Sequence, residues 1–415
     1  MGKNFNFDYI VIGSGPAGRT AAIKLAKSGK KVAIAENETL GGAEICTRDF
    51  PYHMSLDFAY TYYKFASSPA VKDSASHFNF PTLVASVDDA ITKKQAEIEK
   101  TLKDLGILLI EGFAHFLDPH TIAVENITYT AKSFILATGS ELKAGEISGL
   151  DSVRYLDPDN ALCLRRPPKF VFVAGGGPTG VEIAEYFAML GIGVIIMERA
   201  DHILPREDED VAATITDYLT GKLGVTIVTN SKVVGITEDR SSKIVVFMNG
   251  NSEKMVRVDC IVIATGSEPF LDYGLENAGV DYKRTGIIVD KFFNTTVRNI
   301  FAIGDCIGSS DSSTERAVLE ANTLCENLLH KNKTTFTSSD IPRIIHTHPE
   351  IATIGMNERD AISRDLKYKK TITKLEDHPG CFIKTLTDHK GRFLGTTIVT
   401  PHASAALKLK NLLTK

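Results

Sequence analysis

One pattern occurs twice in this chain of 415 residues, and it constrains the fold more than any other feature. A short apolar strand runs straight into a loop spelled Gly-x-Gly-x-x-Gly, and an amphipathic helix and a second apolar strand follow. The loop glycines are Gly13, Gly15 and Gly18 in the first copy and Gly175, Gly177 and Gly180 in the second. Because chance does not repeat spacing, the two copies predict one architecture used twice, with a nucleotide site in each.

Each loop glycine has its own task in such a site. The first allows a tight turn, the second lets the backbone approach a pyrophosphate, and the third lets helix and strand pack closely. The helix N-terminus then presents its unpaired N–H groups to the phosphates. Glu36 and Glu198 each end the second strand of their copy, 18 residues after the last glycine. A carboxylate at that position accepts hydrogen bonds from a ribose diol.

Apolar periodicity predicts an α/β chain with two Rossmann-like dinucleotide-binding domains and an α+β end domain. The expected division is 1–157 with 281–340 for the first domain, 158–280 for the second and 341–415 for the third. Helices are expected at about 54–67, 87–105 and 315–329, with β-meanders over 107–130 and 225–258. A serine-rich loop at 309–314, a polar linker at 331–340 and a closing helix from about Ala403 complete the expectation.

Composition excludes several functions. The net charge of −4 and a charged fraction of 24% indicate neither a basic nucleic-acid binder nor an acidic tail. No run of about 18 apolar residues predicts a membrane span. The first strand begins near residue 7, which leaves no room for a signal peptide, so we expect a cytoplasmic protein. Six scattered cysteines without a C-x-x-C pair predict neither disulfides nor zinc, and His346 and His348 lack a third ligand, so no metal is expected.

Further motifs resemble a known family. Gly41-Gly42 follows the first copy, Ala-Thr-Gly closes a strand at 137–139 and again at 264–266, and Ala-Ile-Gly-Asp at 302–305 ends a third strand. With the two fingerprints, these motifs resemble the pyridine nucleotide-disulfide oxidoreductases, which are two-dinucleotide-binding-domain flavoproteins. Dihydrolipoamide dehydrogenase, glutathione reductase and mercuric reductase belong to this family. The resemblance covers nearly the whole chain and implies that the end domain is a shortened interface domain.

The resemblance implies FAD at the first fingerprint and NADH or NADPH at the second. The residues that it assigns to FAD are Gly13, Gly15, Pro16, Ala17, Gly18, Glu36, Gly41, Gly42, Ala137, Thr138, Gly139, Gly304, Asp305 and Ala317. Those that it assigns to the nicotinamide nucleotide are Gly175, Gly177, Pro178, Thr179, Gly180, Glu198, Arg199, Ala264, Thr265 and Gly266. Glu198 favours the free 2′-hydroxyl of NADH, and the adjacent Arg199 leaves NADPH possible.

The stretch 41–51 departs from the family pattern. In the family it carries two cysteines, five positions apart, that form the redox-active disulfide. Here those positions hold Glu44 and Asp49, with Cys46 between them. In the family a lysine pairs with the glutamate beside the nicotinamide ring, and His53 stands at the position of that lysine. An aromatic side chain covers the nicotinamide pocket in the family, and Pro178 stands at its position. Glu182 matches the glutamate itself, although an acid in the first turn of a helix is also favoured by the helix dipole alone.

A second departure lies at the end domain, which stops before the family's catalytic His-Glu pair, normally donated across a dimer. A homodimer is still expected. The predicted function is an FAD-dependent NAD(P)H oxidoreductase that passes electrons directly to a small-molecule acceptor such as a quinone, without a thiol relay. Quinone reductases and soluble transhydrogenases are relatives that lack one or both cysteines. The candidate catalytic residues are Glu182, Glu44, Asp49 and His53.

Two alternatives stay open. The first is a disulfide-reductase-like enzyme that draws sulfur from Cys46 or from a docked partner. The second is a catalytically degenerate flavoprotein that serves as a sensor. The acids at positions 44 and 49 also have two interpretations: they lower the reduction potential of the flavin, or they are solvated loop acids.

Overall fold

The computed structural model describes residues 5–69, 78–145, 147–239, 242–308, 313–330, 333–335, 341–376, 378 and 380–404. The helices among them are α1 (Pro16–Lys27), α2 (Gly42–Cys46), α3 (Asp49–Ser67), α4 (Phe80–Asp104), α5 (Pro178–Met189), α6 (Glu209–Gly221), α7 (Leu275–Ala278), α8 (Thr314–Leu329) and α9 (Glu358–Ser363). Short 3-10 turns cover Leu150–Ser152, Ala161–Cys163 and Gly304–Ile307. The predicted closing helix beyond residue 404, most of the serine-rich loop and most of the 331–340 linker lie outside the described residues.

The strands of the N-terminal part are β1 (Phe7–Ile12), β2 (Val32–Glu36), β3 (Leu108–Glu111), β4 (Ala114–Asp118), β5 (Thr121–Val124), β6 (Ile127–Leu136) and β7 (Ser140–Leu142). Those of the middle part are β8 (Phe170–Ala174), β9 (Gly193–Met197), β10 (Thr226–Val228), β11 (Ser231–Asp239), β12 (Ser242–Asn249), β13 (Ser252–Val258) and β14 (Cys260–Ile263). The remaining strands are β15 (Ser267–Pro269), β16 (Tyr282–Lys283), β17 (Gly286–Ile287), β18 (Ile300–Ala302), β19 (Arg343–Ile345), β20 (Glu350–Gly355), β21 (Tyr368–Lys374), β22 (Phe382–Asp388) and β23 (Phe393–Thr400).

The chain forms two compact units. The first is drawn from residues 1–52, 86–143 and 267–338, and the second from residues 53–85, 144–266 and 339–415. The boundaries fall inside α3 and α4, so both helices contribute residues to both units. The three-domain division expected from the sequence stays a prediction.

A seven-stranded sheet organises the first unit. Its order is β3-β2-β1-β6-β5-β4, and β18 also pairs with β6. The pairs among β1, β2, β3, β6 and β18 are parallel, whereas β4, β5 and the beginning of β6 form an antiparallel meander. The ten-residue β6 therefore belongs to both parts. The sequence suggested two strands here, the last strand of the meander and an apolar strand near 133–137, and the structure joins them into one.

Small side chains let α1 lie close to this sheet. Ala21, Ala22 and Leu25 on its inner face are completely buried, and they share a core with Ala321 and Cys325 of α8. Burial of a leucine side chain contributes about 2 kcal/mol to folding. This packing fixes α1, whose first turn contains the last residues of the first glycine loop.

Three larger sheets organise the second unit. A four-stranded parallel sheet has the order β10-β9-β8-β14, and an antiparallel sheet has the order β11-β12-β13. The third sheet, β19-β20-β23-β22-β21, is antiparallel and forms the C-terminal part. Helix α5 is buried along almost its whole length, from Gly180 to Met189 apart from Glu182. The glycine loop of the second copy leads into this helix.

Helices α3 and α4 begin earlier than expected from the sequence, and α6 and α9 are among the helices that the sequence did not predict. The expected starts near 54 and 87 are wrong because Pro51 and Pro81 lie in the first turns of α3 and α4, where proline is tolerated. Helix α6 was missed although Asp208 precedes it and two acids occupy its first turn. Helix α9 was also missed, although it begins with an Asn357–Asp360 capping box. No helix among the described residues is long and apolar enough to cross a membrane.

Candidate functional site

The first glycine loop has the geometry of a phosphate-binding turn. Gly13 has a φ of +101°, and a Cβ atom there would lie 2.3 Å from the carbonyl oxygen of Ala137. A Cβ atom at Gly18 would lie 2.0 Å from the carbonyl oxygen of Gly13. At Gly15 a Cβ atom would meet no atom within 4 Å. Packing therefore demands the first and third glycines, whereas the open face at Gly15 fits the close approach of a ligand phosphate.

The second loop repeats this geometry. Gly175 has a φ of +113°, and a Cβ atom there would lie 2.3 Å from the carbonyl oxygen of Ala264. The corresponding distance from Gly180 to the carbonyl oxygen of Gly175 is 2.0 Å, and Gly177 again faces open space. In both copies the Ala-Thr-Gly tripeptide supplies the backbone against which the first glycine packs. The residues present in each loop thus fit a dinucleotide.

Two backbone N–H groups hold the side chain of each strand-end acid, Glu36 and Glu198, in place beside its loop. Glu36 accepts hydrogen bonds from the N–H of Ser14 at 2.8 Å and from the N–H of Glu38 at 3.1 Å. Glu198 accepts them from the N–H of Gly176 at 2.7 Å and from the N–H of Ala200 at 2.8 Å. An ionised carboxylate offers about four lone-pair sites, so both acids retain acceptors for ribose hydroxyls.

Gly41 and Gly42 pack against the first loop. The buried hydroxyl of Ser14 accepts a hydrogen bond from the N–H of Gly41 at 2.9 Å. A Cβ atom at Gly42 would lie 2.8 Å from the Cα atom of Gly15. Both positions have positive φ, at +111° and +63°. The glycine pair therefore brings α2, and the segment that departs from the family pattern, against the first fingerprint.

The two acids in that segment have separate partners. Glu44 lies on α2 and forms an ion pair with Arg19 of α1, with 2.7 Å between Oε2 and Nη2. Arg19 is held in place by the carbonyl oxygens of Ser14 and Gly41, each 3.4 Å from its Nη1 atom. Asp49 begins α3 and accepts a hydrogen bond from the hydroxyl of Thr314. Sequence reasoning missed Arg19, although a basic residue directly after the fingerprint was a readable signal.

Cys46 has different partners from these acids. Its sulfur atom lies 3.6 Å from the carbonyl oxygen of Leu40 and 3.4 Å from Nε2 of Gln95. Burial raises the pKa of the Cys46 thiol above its ordinary value. All six cysteines are free thiols in the structure. A thiol with a raised pKa is a poor nucleophile, because the thiolate is the reactive form.

A buried carboxylate positions the Gly-Asp turn at 304–305. Glu320, which is fully buried on α8, accepts a hydrogen bond from the N–H of Gly304 at 2.7 Å and pairs with Nε of Arg316 at 2.7 Å. Burial raises the pKa of Glu320. Asp305 accepts a hydrogen bond from the hydroxyl of Ser140 at 3.1 Å. Sequence reasoning missed Ser140, Arg316 and Glu320, and Ser140 lies 165 positions from its partner Asp305. The buried Ala317 lies on the same helix, one turn before Glu320.

Two glutamates on α5 hold the segment 346–348. Glu182 accepts a hydrogen bond from the N–H of His346 at 2.8 Å, and the fully buried Glu185 accepts one from the N–H of His348 at 3.0 Å. Glu185 also lies 3.1 Å from Nδ1 of the same histidine. The segment 346–348 therefore contacts the predicted catalytic residue Glu182.

Helix α3 contacts the same segment through two aromatic pairs. The ring of His53 meets that of His346 edge-on, with 3.9 Å between centroids, and the ring of Tyr60 stacks on His348 at 3.7 Å. Residues seven apart on a helix lie on one face, which explains how His53 and Tyr60 reach neighbouring histidines. The structure thus brings the predicted residues His53 and Glu182 to one histidine, whereas Glu44 and Asp49 belong to the first unit.

Glu350 completes this cluster. Its Oε1 atom lies 3.0 Å from Nδ1 of His346, and its Oε2 atom accepts a hydrogen bond from the N–H of Ser404 at 2.8 Å. Burial alone would raise the pKa of Glu350, but the hydrogen bonds from His346 and Ser404 outweigh burial and lower it. Glu350 is therefore an ionised acceptor at neutral pH. No pattern in the sequence indicated this residue.

One acidic cluster among the described residues has the spacing of a metal site, and a lysine occupies it. The carboxylates of Asp208, Asp210 and Glu358 lie close together. The ammonium group of Lys384 is 2.6, 2.5 and 3.0 Å from them, and its side chain is 1% exposed. An ion-paired ammonium takes the position that a metal ion would need. The cluster is a buried ion-pair network that joins α6, α9 and β22.

Comparisons with known proteins agree with this geometry. The model of the family described as pyridine nucleotide-disulphide oxidoreductase matches residues 7–321. Dihydrolipoyl dehydrogenase of Geobacillus stearothermophilus is 31% identical over 417 residues, which cover 95% of this chain and 87% of that protein. Mercuric reductase of Bacillus cereus is 28% identical over 427 residues, covering 99% of this chain and 67% of that protein.

A solved structure shares the fold. The HOCl-induced flavoprotein disulfide reductase RclA from Escherichia coli has a TM-score of 0.87 at 26% identity, over 98% of this chain and 92% of that one. The predicted fold, a mixed α/β chain of the two-dinucleotide-binding type followed by a C-terminal antiparallel sheet, is confirmed. Members of the matched family typically bind FAD and NAD(P)H.

Proposed function

The chain belongs to the pyridine nucleotide-disulphide oxidoreductase family of flavoprotein NAD(P)H oxidoreductases, and from this premise we propose that it is a diaphorase-like enzyme. It takes electrons from NADH and gives them directly to a small-molecule acceptor such as a quinone. The observation that carries the proposal is the duplicated loop. Two glycine turns with matching backbone geometry each leave an open face beside the second glycine. In each copy a carboxylate at the end of the second strand accepts a hydrogen bond from the backbone of the turn.

The first unit holds FAD in this proposal. The N–H groups at the start of α1 face the pyrophosphate, and Glu36 accepts hydrogen bonds from the adenosine ribose. Two hydrogen bonds hold the turn at 304–305 in place. Asp305 accepts one from the hydroxyl of Ser140, and the N–H of Gly304 donates the other to Glu320. When bound, FAD accepts hydride from a nicotinamide and delivers electrons to the acceptor.

The second unit holds the nicotinamide nucleotide. Glu198 is fixed by two backbone N–H groups, so its charge stays directed at the ribose and disfavours a 2′-phosphate. This supports a preference for NADH over NADPH, with Arg199 exposed beside it. Glu182 positions the nicotinamide ring, and the backbone N–H of His346 fixes its carboxylate.

The acceptor is reduced without a thiol relay. Glu44 and Asp49 stand where the family carries its redox-active cysteines, and neither side chain is able to accept an electron pair. Cys46 does not replace them, because its sulfur contacts the backbone of Leu40 and burial raises its pKa. The reading that draws sulfur from Cys46 is therefore disfavoured. A homodimer and a cytoplasmic location stay predictions.

Anaerobic spectroscopy tests this proposal. The purified protein is expected to show flavin absorbance, to lose it when NADH is added and to regain it when a quinone follows. Lipoamide, glutathione disulfide and an aromatic disulfide reagent should restore no colour. A protein that stays colourless after incubation with FAD contradicts the proposal, as does restoration by disulfides but not by quinones. Loss of flavin absorbance that follows NADH addition too slowly for catalysis points to the sensor alternative.

Glu44 and Asp49 set the reduction potential of the flavin in this proposal, because negative charge beside the site opposes the addition of electrons there. Their partners differ: Glu44 is neutralised by Arg19, whereas Asp49 has a neutral hydroxyl partner. We expect Asp49→Asn to raise the midpoint potential by roughly 30 mV, equivalent to about 1.4 kcal/mol for a two-electron couple. Glu44→Gln should change it less. A potential unchanged in the double variant would show that these are solvated loop acids.

A further inference from the structure

A loop in the second unit connects the predicted nucleotide site with helix α6. It covers residues 199–208 and follows directly on Glu198, the strand-end acid that is expected to bind the adenosine ribose. The N–H of Leu204 donates a hydrogen bond to the carbonyl oxygen of Gly176 at 2.7 Å. Ile203 is completely buried, and a Cβ atom at Gly176 would lie 3.0 Å from its Cγ2 atom. The middle of this 199–208 loop therefore packs directly on the second glycine loop.

The backbone of the 199–208 loop depends on contacts from outside it. Leu204 has a φ of +52°, in the left-handed region that a leucine rarely adopts. Such a conformation persists only where the surrounding structure holds it. The loop is therefore expected to relax when its outer contacts are removed, and Leu204 is the residue that bonds to the second glycine loop.

The C-terminal part of the same unit supplies these outer contacts, and one group of them comes from the start of α9. Nδ2 of Asn357 donates a hydrogen bond to the carbonyl oxygen of Arg206 at 2.8 Å. The N–H groups of Glu358 and Arg359 donate to the carboxylate of Asp208 at 3.2 and 3.1 Å. These three hydrogen bonds all reach the last three residues of the 199–208 loop.

Lys384 on β22 holds the same end of the loop by its charge. Its ammonium group lies 2.6 Å from the carboxylate of Asp208 and 3.0 Å from that of Glu358. The side chains of Lys384 and Asp208 are 1% and 4% exposed, so solvent ions screen this pair little. Burial alone would lower the pKa of Lys384, but its hydrogen bonds to Asp208 and Asp210 outweigh burial and raise it. The ammonium group is therefore charged at neutral pH.

We propose that Lys384 is a positioning residue for the nicotinamide nucleotide. It fixes the 199–208 loop at Asp208, and the loop in turn holds the second glycine loop and Glu198 in the conformation that receives the adenosine end of NADH. This inference deepens the proposed function and rests on it. Because Lys384 acts through the loop, its removal should weaken the binding of NADH and leave the binding of FAD in the first unit unchanged.

Two electron donors test where the effect of Lys384 is exerted. NADH has an adenosine end, whereas reduced nicotinamide mononucleotide lacks it. With a benzoquinone as acceptor, we expect Lys384→Met to raise the KM for NADH about tenfold, as for the loss of one hydrogen bond to a charged group, and to leave kcat unchanged. The KM for reduced nicotinamide mononucleotide and the FAD content of the purified protein should equal those of the wild type.

Lys370 provides a matched control in the same sheet. It lies exposed on β21, and its ammonium group is 2.9 Å from the carboxylate of Glu358. Within the described part of the chain its ion pair involves Glu358 and not Asp208. Lys370→Met removes the same charge from a neighbouring strand without releasing the loop, so it should leave the KM for both donors unchanged.

A milder variant covers the case in which Lys384→Met does not fold, since that change leaves three carboxylates without their ammonium partner. In Asp208→Asn the amide oxygen still accepts a hydrogen bond, and Lys384 keeps Asp210 and Glu358. We expect Asp208→Asn to raise the KM for NADH about fivefold, because a hydrogen bond to a neutral group is weaker than one to a charged group. An unchanged KM for NADH in this variant would overturn the proposal.

Amide hydrogen exchange tests the loop without turnover. In the protein without nicotinamide nucleotide, the N–H of Leu204 should exchange about tenfold faster in Lys384→Met or Asp208→Asn than in the wild type or Lys370→Met. Exchange at the wild-type rate in Asp208→Asn would overturn the connection between Lys384 and the loop.

The kinetic results separate positioning from a general loosening of the unit. A KM that rises equally for both donors, or an equal effect of Lys370→Met, would overturn the proposal. A wild-type protein that does not oxidise NADH contradicts the proposed function instead, and the exchange of the Leu204 amide still decides whether Lys384 holds the loop.

Discussion

The two glycine loops match in the packing of their first and third glycines and differ in the contacts just beyond the loop. Each loop packs its first glycine on an Ala-Thr-Gly backbone and its third glycine on the carbonyl oxygen of the first. The residue after the third glycine is Arg19 in one copy and the fully buried Val181 in the other. Arg19 turns to the acid at position 44, whereas α5 uses Glu182 and Glu185 to hold a distant histidine segment.

This difference separates what a nucleotide fold must conserve from what it is free to change. Phosphate recognition depends on backbone shape, so both loops have the same shape. The contacts beyond each loop depend on side chains that come later in the helix, which are Arg19 in α1 and Glu182 and Glu185 in α5. The fingerprint therefore predicts where a nucleotide binds, and the first helical turn after it determines which other segments reach the site.

Alanine at the third glycine of each loop is expected to give the largest effect. Because a Cβ atom at Gly18 or Gly180 would lie 2.0 Å from a backbone oxygen, the loop must shift in either variant. Gly18→Ala should yield a protein that retains no flavin. Gly180→Ala should stay yellow but show a KM for NADH raised at least tenfold. Absorbance of the purified proteins and steady-state kinetics measure both, and loss of flavin in Gly180→Ala would break the assignment of one nucleotide to each loop.

Glutamine at the strand-end acids is expected to give an intermediate effect. A hydrogen bond to a charged group contributes roughly 1 kcal/mol more than one to a neutral group. Glu198→Gln should therefore raise the KM for NADH about fivefold and narrow the preference over NADPH, with FAD binding unchanged. Glu36→Gln should weaken FAD binding by a similar factor, as measured by fluorescence titration, without a change in the KM for NADH. Identical effects of both substitutions on both ligands would contradict the comparison.

The smallest effect concerns pH and stability, and its sign differs between the units. The pKa of Glu320 in the first unit is raised by burial, so its contribution to stability is complete below its unfolded value and is lost as pH rises through the folded pKa. The pKa of Glu350 in the second unit is lowered, since its hydrogen bonds outweigh burial. Its contribution is present above the unfolded value and is lost as pH falls through the folded pKa.

Melting temperatures of Glu320→Gln and Glu350→Gln against pH test this opposition. From about pH 4 to pH 6, the advantage of the wild-type protein over Glu350→Gln should grow, and its advantage over Glu320→Gln should shrink. If the difference in melting temperature from the wild-type protein changes with pH in the same direction for both variants, the two glutamates do not contribute to stability with opposite sign. In both variants the amide oxygen of glutamine is still able to accept the hydrogen bond from the backbone N–H group.

The sequence was sufficient wherever the determinant is local. The glycine spacing, the acids at 36 and 198 and the alternation of strands and helices are read from neighbouring residues, and the fold and family that they predicted are confirmed. The assignment of FAD and NADH to particular residues stays a prediction. The early starts of α3 and α4 were missed, although the first helical turn accepts the proline that each of them carries there.

The contacts of the candidate site were not predictable in the same way. Glu182 and His346 are 164 positions apart, and Asp49 and Thr314 are 265 positions apart. Nothing in a single sequence indicates which of many acids meets which of many donors at such separations. The sequence indicated no role for the histidines at 346 and 348 beyond an incomplete metal site, because their contacts with α3 and α5 join elements that are distant along the chain.

The pairing of β18 with β6 has a consequence for biosynthesis. Phe134, Ile135 and Leu136 lie beside β1 on one edge, and their other edge pairs with residues 300–302, which the ribosome adds 166 positions later. Until then the nascent chain presents an apolar strand edge that is open to other chains. The sheet that begins with residue 7 is thus completed only when translation has passed residue 302, and truncated products are expected to aggregate through this edge.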